Sequence, residues 1–223
     1  MRGRKVKYWG KLLLQYIGIS LASAMGLMIL FGGGNVALTG NGREILQTVC
    51  VLYPVYVILV GVFLMVVGTI SQFQSYVPVL LSLNATRRSV TAGIFLSTGG
   101  LVLAIAAVAG LFWLSPASEM ENVAEGMAVT AGALLMFGAF GMFMGAVAAR
   151  WGRKGIIVTT IVAALMGGIF GAGVALLGHQ TVAEIQHFLM DRNTAWILVG
   201  GIVLYVLAGG AAMLALRKLE VRA

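Results

Sequence analysis

The chain has 223 residues, 60% of them hydrophobic and only 10% charged, with a mean hydropathy of +1.00. So few charges cannot clothe a soluble domain, and the single cysteine, Cys50, excludes an intrachain disulfide framework. The net charge of +8 is divided among short connections, with no folded domain to build a groove, which argues against nucleic-acid binding.

The pattern predicts an all-α integral membrane protein made of one transmembrane domain, residues 1–223, with six spans. Arg2, Arg4, Lys5, Lys7 and Lys11 surround Tyr8 and Trp9, the composition of a short amphipathic segment at headgroup level that binds membrane lipid. Span one covers about 12–32. Its Ala22-Ser23-Ala24 has the small-x-small form of a signal cleavage site, but the apolar run continues to Phe31, so a retained span is expected. Gly32-Gly33-Gly34-Asn35 and Asn41-Gly42 supply turn chemistry before span two, 48–70, which holds Pro54 in its first turns.

Residues 71–96 read SQFQSYVPVLLSLNATRRSVTAGIFL. The part before the arginines is too polar for the bilayer yet not loop-like. It predicts that span two runs out of the membrane, breaks near Pro78, turns, and re-enters as span three, 90–114. Ser118 and Glu121 form a Ser-x-x-Glu capping box ahead of span four, 126–149. Arg150, Arg153 and Lys154 separate it from span five, 155–177. In the next connection Val182, Ile185, Phe188 and Leu189 recur at helical spacing, which predicts an amphipathic helix on the outer surface. Span six, 195–216, ends at Arg217, Lys218 and Arg222.

Thirteen of the fifteen basic residues fall on one side of this arrangement; only Arg43 and Arg192 lie opposite. Six of the seven acids take the other side, with Glu220 the exception. The positive-inside rule then places both termini in the cytoplasm. No convincing internal repeat is present.

Enzymes and ion-coupled transporters within membranes need ionisable groups at depth, and these spans contain none. No catalytic, metal-binding or cofactor-binding residue is assigned, and the chain is not expected to be an enzyme. Glu184-x-x-His187 supplies too few ligands for a metal and reads as a solvated helix face. Asn84-Ala85-Thr86 matches a glycosylation sequon on what the charge bias makes the cytoplasmic side. Gly141-x-x-x-Gly145, Gly167-x-x-x-Gly171, Gly200-Gly201 and Gly209-Gly210 read as helix-packing faces, and Met127, Met136, Met142 and Met144 as packing residues.

The pattern Pro78, Leu81, Ser82, Thr86, Arg87, Arg88, followed by Gly93, resembles small bacterial ABC transporter permeases of the type V exporter fold. Where that family usually has glycine before Ala-Thr-Arg, this chain has Asn84, the next residue best suited to a left-handed turn. The resemblance covers the chain in outline, from the basic start to the ending Leu214–Val221. It implies that Pro78, Leu81, Ser82, Asn84, Thr86, Arg87 and Arg88 form a coupling-helix-like connection that docks on a separate ABC ATPase subunit. It further implies a bacterial plasma-membrane location, pairing with a second permease copy or a sister permease, and outward transport. The chain lacks a Gly-x-x-x-x-Gly-Lys-Ser/Thr phosphate loop, so ATP would bind the partner and no cofactor this chain. Val182, Ile185, Phe188 and Leu189 become an outer gate in this reading, and the apolar spans suit a lipophilic or amphipathic substrate. Two other readings stay open: the substrate-capture subunit of a vitamin importer, and a non-transporting scaffold or immunity protein.

Overall fold

The computed structural model describes residues 2–33, 41–82, 85–115, 122–176 and 194–217, and among these there is helix and no strand. Helix α1 covers Arg2–Leu27 and continues as a π-helical turn over Met28–Gly33. Helix α2, Gly42–Phe63, passes through a second π-helical stretch, Leu64–Gly68, into α3, Thr69–Ser82. Then come α4, Arg87–Trp113; α5, Val123–Trp151; α6, Arg153–Leu176; and α7, Thr194–Arg217. Among the described residues, five stretches are long and apolar enough to cross a membrane: Tyr8–Leu30, Ile45–Ser82, Arg87–Trp113, Val123–Trp151 and Thr194–Leu216.

Several boundaries differ from the sequence reading. The basic N-terminal segment is not a separate element but the first turns of α1. Its Tyr8 ring meets Trp9 at 5.6 Å and Tyr76 of α3 at 6.2 Å, edge-on in both cases. Pro54 lies well inside α2, because the helix starts at Gly42 rather than near residue 48. Its missing N–H leaves the carbonyl one turn back without its usual donor, a loss that membrane helices tolerate when neighbours pack around them. The predicted break at Pro78 is absent: α3 runs through it to Ser82. The cap of α5 is Asn122, whose side chain accepts the Glu125 N–H at 3.3 Å. Ser118 and Glu121, the predicted capping box, lie outside the described residues.

Helix α5 is the central pillar and packs against α2–α3, α4, α6 and α7. Its glycines make this fit. A methyl group on Gly132 would meet the Ile197 carbonyl oxygen at 2.7 Å, and one on Gly145 would meet the Phe73 ring at 2.6 Å. Gly141 sits directly against the Met65 carbonyl in the second π stretch. So Gly141 and Gly145 are packing residues, and so are the buried Met142 and Met144. The α5–α6 turn requires glycine for another reason: Gly152 has φ +57°.

The buried apolar residues form two clusters stacked along the bundle. One joins Ala24 of α1, Met28 of the π-helical turn that follows it, Tyr53, Val57 and Val60 of α2, Leu101 and Ile105 of α4, and Leu134 of α5. The other joins Phe73 and Val77 of α3, Val90 and Ile94 of α4, Met142 and Ala146 of α5, and Ala212 and Leu216 of α7. This second cluster lies at the end carrying Arg87, Arg88, Arg150, Arg153 and Lys154, hereafter the basic end. Glu125 is in the first turn of α5, at the opposite end of that helix.

Candidate functional site

The 38 residues Ile45–Ser82 would span about 57 Å as helix, against roughly 30 Å of hydrocarbon core. Even with headgroups included, about 12 Å or more remains. Phe73 and Val77 are buried against α4 and α5, so α3 is a packed extension of the bundle rather than a free arm. Its apolar stripe explains why the stretch is helical despite Ser71, Gln72, Gln74 and Ser75: polar residues occupy the turns between Phe73, Val77 and Leu80.

The extension ends in a tight reversal. The Ala85 N–H donates to the Leu80 carbonyl at 3.0 Å, which ties the start of the next segment back to the last turns of α3. Thr86 then caps α4, its side chain accepting the Ser89 N–H at 3.3 Å. Leu81 and Ala85 lean on the second apolar cluster. Pro78, Ser82, Thr86 and Arg88 are exposed, and Arg87 is half-buried. Ser82 turns its hydroxyl back onto the Val79 carbonyl at 2.7 Å. Of the seven residues singled out in the sequence, six therefore share one tip; Asn84 lies outside the described residues. The tip is the last turn of α3 joined to the first turn of α4, without a coupling helix of its own among the described residues. Val182, Ile185, Phe188 and Leu189, the predicted outer gate, lie outside the described residues too.

Two features escaped the sequence reading. The first is a layer of buried polar groups in the middle of the bundle. Tyr205 of α7 donates its hydroxyl to the Phe95 carbonyl of α4 at 2.6 Å. Its ring, Thr98 of α4 and Met65 close around Gly138 of α5. Tyr16 of α1 lies near Gln72 of α3. Ser20 Oγ, Gln72 Oε1 and Thr98 Oγ1 are buried and lack partners among the described residues. Isolated hydroxyls and one glutamine in apolar runs give little warning of this, since most such hydroxyls satisfy themselves on their own helix, as Ser97 does on Ile94.

The second is a groove of about 420 Å³ between α6 and the α2–α3 helix. One wall carries Val67, Ile70, Ser71 and Gln74; the other carries Ile156, Thr159, Thr160, Ala163 and Ala164. Each set follows i, i+3, i+4, i+7, so a mixed stripe of small and polar residues at helical spacing was the available signal. Thr159 is buried and spends its hydroxyl on the Ile156 carbonyl at 2.9 Å, which leaves the groove largely apolar.

Among the described residues no group of histidine, cysteine and carboxylate could hold a metal ion. No family model, curated protein or solved structure matches the chain.

Proposed function

We propose that the chain is the permease subunit of an ATP-driven ABC transporter in a bacterial plasma membrane. In this reading α6 completes six spans, both termini are cytoplasmic, and the basic end faces the cytoplasm in keeping with the positive-inside rule. Two permeases, identical or sister chains, work with separate ATPase subunits. ATP binding and hydrolysis there move residues 76–89 and shift the permeases between inward- and outward-open states. The observation that carries the reading is the packed tip. Helix α3, the last part of a helix longer than the hydrocarbon core, is packed through Phe73, Val77, Leu80 and Leu81, and the tip where it meets α4 exposes Pro78, Ser82 and Arg88. A push on a packed lever reaches the spans; a push on a loose loop would not.

The substrate in this proposal is lipophilic or amphipathic, and it leaves by an outward path gated by Val182, Ile185, Phe188 and Leu189. A small ion would lose its hydration among these spans with only hydroxyls and a few glutamines in return, a penalty of several kcal/mol or more. A substrate with an apolar body loses far less.

Affinity isolation of the tagged chain from its native membrane, in gentle detergent, tests the proposal. It predicts recovery of an ATPase subunit, and loss of both that subunit and transport in Arg87→Glu with Arg88→Glu. Membrane insertion should survive that reversal, because three other basic clusters remain on the same side. A wild-type chain that brings down no ATPase contradicts the proposal.

A further inference from the structure

We propose that the groove between α6 and α2–α3 is a binding site for one anionic phospholipid of the leaflet at the basic end, independent of whether the chain transports anything. The groove starts at Ile156 and Gln74 and ends at Ala164 and Val67. Along α6 that is about 12 Å, less than the roughly 15 Å of one leaflet's hydrocarbon, so an acyl chain lying in it stays within that leaflet. The volume of about 420 Å³ is in the range of small-molecule sites. Its flank is apolar and outward-facing: Val67, Ile157 and Ile161 are all exposed, so the groove opens sideways to lipid rather than toward water.

The charge complementarity selects the headgroup. Arg153 and Lys154 are exposed and stand just before Ile156, at the groove's mouth, with Arg150 at the end of α5 across the Gly152 turn. The one carboxylate among the described side chains, Glu125, is at the far end of α5, so among the described residues no acid there competes for them. Ser71 and Gln74 add hydrogen-bonding groups on the facing wall near the same end. A zwitterionic headgroup, with no net charge, gains little from this cluster. An anionic one gains roughly fivefold in affinity for each basic residue near it.

The purified full-length chain is titrated in detergent with dioleoyl phosphatidylglycerol or dioleoyl phosphatidylcholine, and retained lipids are counted by native mass spectrometry. The expected result is one phosphatidylglycerol held at least about tenfold more tightly than phosphatidylcholine. Arg153→Gln with Lys154→Gln should reduce that preference by roughly 25-fold at most, to near parity. Thr160→Phe with Ala164→Phe, both at exposed positions, fills the groove and should remove the tight site while leaving the basic residues intact. Helical circular dichroism checks that each variant is folded, and the charge variant alone suffices if the filled one is not. No preference in the wild-type chain, or a preference that survives either folded variant, overturns the proposal.

Discussion

Gly201→Ala asks whether the bundle is held by backbone-to-backbone contact between α5 and α7. A methyl group on Gly201 would lie 2.5 Å from the Gly132 carbonyl oxygen and 3.0 Å from the Gly132 Cα. Ordinary contact begins at 3.4 Å, so the two backbones must part by about 0.9 Å. No flexible side chain can absorb the shift, since every atom in the way is main chain. Overpacking of this kind costs about 1–3 kcal/mol. Gly210→Ala is the matched control: it is on the same helix, with nothing within 4 Å of the added carbon. Both variants gain the same helix propensity, up to about 1 kcal/mol, so their difference isolates the contact. Equilibrium unfolding in mixed micelles, followed by circular dichroism, should place Gly201→Ala about 1–3 kcal/mol below Gly210→Ala. Gly132→Ala should behave like Gly201→Ala, because its methyl would meet the Ile197 carbonyl oxygen at 2.7 Å. The double variant should lose less than the sum, since helices already parted make room for the second methyl. Equal stability of Gly201→Ala and Gly210→Ala would refute the close crossing.

Two further predictions concern transport. Single cysteines placed along residues 180–190, in a chain lacking Cys50, should react with a water-soluble maleimide at helical period, with 182, 185, 188 and 189 slow; uniform rapid labelling would remove the outer gate. With the ATPase reconstituted, lipophilic and amphipathic compounds should stimulate ATP hydrolysis, and stimulation by small hydrophilic solutes alone would contradict the apolar pathway.

The membrane class and most helix positions were legible because the hydrocarbon core demands long apolar runs. The predicted span 90–114 compares with α4 at Arg87–Trp113, and 195–216 with α7 at Thr194–Arg217. What hydropathy could not show was how far the helices run. Residues 2–11 and 71–82 lie outside the spans read from the sequence, yet they are helical, with Tyr8 packed on Tyr76 and Phe73 packed against α5. Pro78 suggested a break for the same reason: local propensity cannot register the tertiary packing of Phe73, Val77, Leu80 and Leu81 that carries the helix past it. The six described tip residues stand together because a short reversal leaves neighbours in sequence no room to separate. The groove and the buried polar layer depend on which faces of distant helices meet. The i, i+3, i+4, i+7 stripe from Val67 to Gln74 marks a face, but not its partner on α6.

The most direct test of the central claim is site-specific photo-crosslinking in native membranes. A photoreactive residue replaces Arg88, exposed at the tip, or Asn122, exposed at the start of α5 on the opposite end. The permease reading predicts an adduct with an ATP-binding subunit from position 88 and none from position 122. Position 88 forming no such adduct, with the protein inserted and abundant, would contradict it.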